Sequence, residues 1–242
     1  VEAVVGRAAL ASVTGVRPGS SVARRMELAG LEKEVRGAVG SVQQALERAA
    51  RVTRANWRFT SLGGEIGSIL SAAAASGDVV AVLEPAGALN RATHAAVQMR
   101  RAAMRSPASV LYVPDAANWR HGTVVAVLGA EKGDNTEVLR KAVSIAAASN
   151  QPLLVFESTD ARAEDAGLAG LMGDAALPAR SVRRHHLADD SPEALARALR
   201  PVSQSLLVLA RGTLGLDEEK EMIRLAAIHR VPVLVLEAAG EN

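Results

Sequence analysis

Few residues in this chain combine the type and the spacing that chemistry requires. His185 and His186 stand side by side with Asp189 and Asp190 close behind, the raw material of a metal site. Adjacent residues of a strand point to opposite faces, so the two rings do not share one ion, and no metal site is expected. Gly129-Ala130-Glu131-Lys132-Gly133 reads as half of a phosphate loop. It lacks the Gly-Lys-Ser/Thr ending that supplies an ammonium and a metal-binding hydroxyl, which excludes a Walker loop. Lys132 keeps the reach to meet an anion, against the plainer reading of an exposed loop lysine. Gly64-Glu65-Ile66-Gly67-Ser68 opens a helix after a strand, and its amides could hold an anion, although a tight turn accounts for the glycines. No Gly-x-Ser-x-Gly elbow occurs, and zero Cys removes thiolate nucleophiles, disulfides and thiolate zinc sites. No base, nucleophile and ligand set converge, so the expectation is a protein without catalytic residues.

The elements that position these residues begin with Gly122 to Glu157. Thr123 to Leu128 is an uncharged β-rich run that suits a strand buried on both faces, and it stops at Gly129. Asp134 with Glu137 three residues on predicts a capping box at the start of a helix reaching Ser149. Pro152 to Phe156 is the next strand. Such a unit puts the loop after its first strand at the carboxyl edge of a parallel sheet, where open α/β folds bind ligands. Strands at Ser181–Leu187, Ser205–Ala210 and Pro232–Leu236 follow, with helices at 161–172, 191–199 and 216–229 between them. Ser191 caps the third helix of this run, with Pro192 at its first position.

The first half offers the same order from the second strand onward: strands at Glu2–Val5, Trp57–Leu62, Asp78–Leu83 and Ser109–Val113, and helices near 31–55, 65–76 and 90–105. "MRSPASVLYVP" and "IHRVPVLVLEA" put a buried strand in the same place after a helix. Two similar domains are therefore expected, 1–114 and 123–242, joined by a linker at 115–122 too short to let them tumble freely. They should pack as a pseudo-dimer within the chain, with a homodimer as a further possibility. The first domain lacks an opening strand and helix. We expect the last strands of the two halves to pair antiparallel, because apolar edge strands are otherwise an aggregation hazard.

Composition narrows the function classes. Two Trp, two Phe and one Tyr among 242 residues cannot build stacked base platforms, and 28 cations interspersed with 26 anions make a solvated surface instead of a phosphate-tracking stripe. Nucleic acid is not an expected partner. No apolar run approaches membrane-spanning length, and the absence of Cys fits a cytoplasmic protein. Arg91, Arg100, Arg101 and Arg105 with Met99 and Met104 read as an amphipathic helix whose arginines snorkel outward. Arg180, Arg183 and Arg184 read as a solvated strand edge, and His94 and His229 as surface or packing residues.

Val124-Val125-Ala126-Val127 followed by Gly129, Ser109 to Pro114, and Val231-Pro232-Val233-Leu234-Val235 together resemble the universal stress protein family, in its tandem two-domain form. The resemblance implies two flavodoxin-like α/β domains, each a parallel five-stranded sheet ordered 3-2-1-4-5 and flanked by helices, the first here incomplete. It implies a stress-response role, with ATP bound by some members. ATP-binding members carry an Asp at the end of the first strand, where this chain has Leu128. They also carry two glycines separated by two residues, then nine residues, then Gly-Ser or Gly-Thr. Gly212-Thr213-Leu214-Gly215 supplies the first part, but Leu225-Ala226 stands where the closing pair belongs. Glu84-Pro85-Ala86-Gly87 keeps one glycine in the first half. The resemblance thus implies a degenerate site and no cofactor, with a regulator holding ATP or AMP at Gly129, Gly212 and Gly215 as the alternative. Function then rests on an unidentified protein partner.

Overall fold

The computed structural model describes residues 2–6, 40, 43–44, 47–48, 50–52, 58–62, 65–84, 94–115, 117, 122–129, 132–158, 170–171, 181–216 and 219–237. Their elements run β1 (Glu2–Gly6), β2 (Arg58–Leu62), α1 (Ile66–Ala73), β3 (Val79–Leu83), α2 (His94–Arg105), β4 (Ser109–Val113), β5 (Thr123–Leu128), α3 (Lys132–Ser149), β6 (Leu153–Glu157), β7 (Val182–His186), α4 (Pro192–Leu199), β8 (Gln204–Ala210), a one-turn 3₁₀ segment (Thr213–Gly215), α5 (Glu219–His229) and β9 (Val233–Leu236). Residues 40, 43–44, 47–48 and 50–52 are helical, as are 170–171. Most of the helix expected at 161–172 lies outside the described residues, as do most of 31–55 and of the join at 115–122.

Seven strands form one sheet in the order β3-β4-β9-β8-β5-β6-β7. Within the second half, β7-β6-β5-β8-β9 are all parallel and follow the 3-2-1-4-5 order, with β5 at the switch point between β6 and β8. β4 then joins β9 antiparallel, with Val110 opposite Val235, Leu111 opposite Leu234 and Tyr112 opposite Val233. This is the expected pairing of the two last strands, and it makes one sheet of both halves. β3 pairs with β4 and closes the order, while β1 and β2 pair parallel in a separate two-stranded sheet. Polar contacts stitch the same seam. Arg211 Nη2 donates to the Ala108 carbonyl at 2.5 Å, the Gly77 amide donates to Glu237 Oε1 at 3.0 Å, and the Glu237 amide donates to Ser109 Oγ at 3.2 Å.

Each face of the sheet carries its own aliphatic layer. Val124, Ala126, Leu128, Val155 and Val208 meet Val138, Leu139, Ala142, Val143 and Ala146 of α3, whose spacing of three to four residues gives that helix one apolar face. On the other side Val125, Val127, Leu207, Leu209, Val110 and Val233 pack against Leu195 and Leu199 of α4, Met222 and Leu225 of α5, and Ala103 of α2. Full burial of both faces of β5 explains its uninterrupted apolar sequence. A side chain at Gly122, just before β5, would stand 2.8 Å from the backbone of residues 203 to 205, so only glycine lets β5 enter beside β8.

Helix ends depart from one expectation. Helix α3 starts at Lys132, which places Asp134 inside the first turn instead of at the cap, and Glu137 pairs along the helix surface with Arg140 and Lys141. The start is instead held by Asn135, described below. Its end is a Schellman turn: Asn150 takes a left-handed φ of 52°, and the Gln151 amide donates back to the Ala146 carbonyl at 2.9 Å. Arg230 does the same after α5, with φ 50°. Ser191 does cap α4, accepting from the Ala194 amide at 3.1 Å.

Candidate functional site

The carboxyl ends of β5, β6, β7 and β8 bring Gly129, Glu157, His186 and Arg211 to one edge of the sheet, the position where the switch point opens a crevice in α/β folds. Here the crevice is occupied by the chain itself. Asn135 is buried with its amide turned onto Gly129: the Gly129 N–H donates to Asn135 Oδ1 at 3.0 Å, and Asn135 Nδ2 donates to the Gly129 carbonyl at 2.8 Å. Both backbone groups of Gly129 are thus satisfied within the chain. Across from it, Thr213 is buried and so close that a Cβ on Gly129 would meet Thr213 Cγ2 at 3.4 Å.

Gly212 and Gly215 lie beside this contact, both exposed and both left-handed, with φ 77° and 69°. Between them the backbone winds into a single tight turn, in which the Gly215 amide donates to the Gly212 carbonyl at 3.1 Å and the Leu216 amide to that of Thr213 at 3.1 Å. Leu214, itself at φ 57°, buries its side chain in the core. A left-handed leucine costs about 1–2 kcal/mol, which burial of a leucine side chain at about 1.5–3 kcal/mol offsets. The turn is therefore a plug fixed from below. Of the three glycines read from the sequence, the structure brings Gly129 against the Thr213 turn that Gly212 and Gly215 flank. It does not present Gly129's donors to a ligand.

Glu157 is the polar centre of the edge and the sequence reading passed over it. It ends a strand whose other residues are all apolar, and it is 1% exposed. Arg184, two strand positions before His186 and on the same face, donates to Glu157 Oε1 from Nε at 3.0 Å and Nη2 at 2.6 Å, while His186 Nδ1 lies 3.4 Å from Oε2. Arg184 is therefore the counter-charge of a buried carboxylate while it stays, with Arg183, on an exposed strand edge as expected. His185 points away from His186, its ring 6.1 Å from that of Phe156. No cluster of three or more metal-ligating side chains occurs among the described residues. A lone acid closing an apolar strand, with His at the paired position of the next strand and Arg two residues before it on the same face, is the sequence signal that would have marked this pair.

The first half shows a parallel arrangement. Arg100 is buried and lies 3.7 Å from the buried carboxylate of Glu84 at the end of β3, so it does not snorkel outward, whereas Arg101 and Arg105 are exposed and Met99 and Met104 pack on the core. Gly64 lies outside the described residues, and the start of α1 at Glu65 to Ser68 already holds an anion, the carboxylate of Glu65. The Gly67 and Ser68 amides donate to it at 2.9 and 2.8 Å, and the Ser68 hydroxyl at 2.9 Å; together they hold its carboxyl below the usual carboxylate range. Arg211 is held below its usual value chiefly by burial, opposed by Tyr112 and Glu237. A cleft of about 60 Å³ lies elsewhere, between α4 and α5, lined by residues that include Pro192, Ala196, Leu225 and Ile228. That volume accepts a few waters and not a nucleotide. Among the described residues no helix is long and apolar enough to cross a membrane.

Comparison with solved structures identifies the fold. A universal stress protein from Archaeoglobus fulgidus superposes with a TM-score of 0.60 at 13% identity, over 99% of this chain and 85% of its own. A putative universal stress protein from Pseudomonas aeruginosa gives 0.55 at 12% identity, over 97% of this chain and 91% of its own. A protein of unknown function from the same organism gives 0.56 at 13% identity, over 97% and 92%. The chain therefore has the universal stress protein fold, and at these identities the likeness is one of fold. No family model and no curated protein matches its sequence.

Proposed function

We propose that this chain is a tandem member of the universal stress protein family that works without catalysis, by contact with a protein partner in a stress or regulatory response. The observation that carries the reading is the filled carboxyl edge. Asn135 takes both backbone groups of Gly129, Thr213 presses against it, and Leu214 fixes the glycine turn into the core. Ligand-binding loops of α/β folds need free amides at this place, and the amide of Gly129 is spent on the chain. The cytoplasm is the compartment proposed, from the cysteine-free sequence.

A second reading keeps a nucleotide. Gly212 and Gly215 are exposed and left-handed, a backbone shape that can turn successive amides toward an anion. The test separates the two. Freshly purified protein is denatured, released small molecules are identified by mass spectrometry, and the emptied protein is titrated with ATP and with AMP. Absence of bound nucleotide and no saturable binding up to millimolar ligand is the outcome expected. Stoichiometric ATP or AMP makes the chain a nucleotide-responsive regulator and overturns the first reading.

A further inference from the structure

β7 ends the seven-stranded sheet, and its chemistry sets it apart from its neighbours. Where β5 and β6 carry apolar runs buried along nearly their whole length, β7 reads Val182-Arg183-Arg184-His185-His186, and its last four residues are exposed. Its pairing with β6 fixes the direction of its backbone. The Leu187 amide donates to the Glu157 carbonyl at 2.8 Å, and alternate residues of a parallel ladder turn to the same neighbour. Arg183 and His185 therefore direct their backbone groups to β6, and Val182, Arg184 and His186 direct theirs to the outer edge. No strand pairs with that edge among the described residues. The side chains divide between the two faces. Arg184 and His186 lie on the face of Glu157, whose carboxylate accepts from the Arg184 guanidinium. Arg183 and His185 lie on the other, where His185 leans on the Phe156 ring and Arg183 forms no ion pair with a described residue. The Asp189 carboxylate just beyond the strand is engaged by Ser191 and Arg197. Charge on an edge strand guards against unselective pairing, and the same charge selects an incoming strand of opposite sign.

We infer that the β7 edge is a docking site for an extended acidic segment of a partner protein, which adds to the sheet as a further strand. The site rests on the proposed action by protein contact and gives the partner its chemistry: a short segment with Asp or Glu at alternate positions. Its backbone bonds along the edge that Val182 and His186 present, and main-chain bonding of this kind supplies affinity while the side chains supply specificity. Its carboxylates lie on the face of Arg183 and His185, opposite which cross-strand charge pairs form. Uncharged side chains suffice on the other face, because Arg184 is already countered there by Glu157.

The probe is a short synthetic peptide alternating Glu and Thr, added to the whole protein, with a peptide alternating Lys and Thr beside it. Saturable binding of the acidic peptide alone is expected, weakened by salt. Hydrogen exchange should slow at the amides of Val182 and His186 and stay unchanged at those of Arg183 and His185, which already face β6. Arg183→Glu should weaken the binding by about tenfold or more and transfer it to the basic peptide, with the melting of the protein alone unchanged because the side chain is exposed. No binding up to millimolar peptide, equal binding of both peptides, binding without protection at Val182 and His186, or binding indifferent to Arg183→Glu overturns the proposal. So does protection of the same amides that appears as the concentration of the protein alone is raised, which assigns the edge to a second copy. Nucleotide released from the purified protein, by contrast, overturns the reading of action by protein contact and leaves this edge to the peptide result.

Discussion

The seam between β4 and β9 is where both halves share one sheet, and it makes a quantitative demand. Val110 and Val235 face each other across it, both fully buried and both in the layer beneath α4 and α5. Replacing either by Ala removes two methyl groups. At about 0.8 kcal/mol each the transfer loss is about 1.6 kcal/mol, and a residual cavity of roughly 40 Å³ at about 24 cal/mol per Å³ adds about 1 kcal/mol, for a total near 2.5 kcal/mol. Because the two side chains touch, the double variant should depart from the sum of the singles by about 0.5 kcal/mol or more. Val143 packs on α3 at the opposite face of the sheet, so Val110→Ala with Val143→Ala should add within about 0.5 kcal/mol. Urea unfolding followed by circular dichroism, with the slope held common, measures the three singles and two doubles. Single losses below about 1 kcal/mol, or strict additivity of the Val110 and Val235 substitutions, would refute the shared sheet.

Other consequences follow from single residues. Asn135→Ala strips both partners from buried Gly129 and should cost about 2–4 kcal/mol in the same assay, with faster hydrogen exchange at the Gly129 amide. Arg230 is exposed and left-handed, so Arg230→Gly should stabilise the protein by about 0.5–1 kcal/mol, whereas Leu214→Gly at a similar φ should destabilise it by about 1–2 kcal/mol because it loses a buried side chain. His229 is held below its usual pKa by burial first and by Arg200 second. Its folded value lies below the unfolded one, so its contribution to stability is complete above about pH 6.5 and is lost as pH falls through the folded value. Melting temperatures between pH 7.5 and 5 should therefore decline less steeply in His229→Gln.

How much was legible can be seen residue by residue. The uncharged run Thr123 to Leu128 announced a strand buried on both faces, since a polar side chain on either face would have been stranded in a core. Ser191-Pro192 announced the start of α4. Edge pairing of β4 with β9 was inferable because, Ser109 apart, both sequences are apolar or aromatic and neither could stand open to water. Asn135 gave no such signal. Its sequence position marks it as a helix-start residue, and only the fold brings Gly129 back within 3.0 Å of its side chain. Arg100 was likewise misassigned, because an arginine's sequence neighbours do not reveal whether a carboxylate waits on another strand.

Period, apolar content and turn residues are local properties, and they determined which segments became strands and helices and in what order they alternate. The glycines at 129, 212 and 215 also stood in the sequence. What the tertiary structure alone decided is their use: Asn135 and Thr213, six and 84 positions from Gly129, converge there to satisfy or crowd it. It also decided that Glu157 is neutralised by Arg184 across 27 positions, and that Val79, Ala81 and Leu83 of β3 are exposed while Val208 and Ala210 of β8 are buried. Each is a long-range juxtaposition whose energy depends on burial and distance, quantities that exist only once the chain has closed on itself.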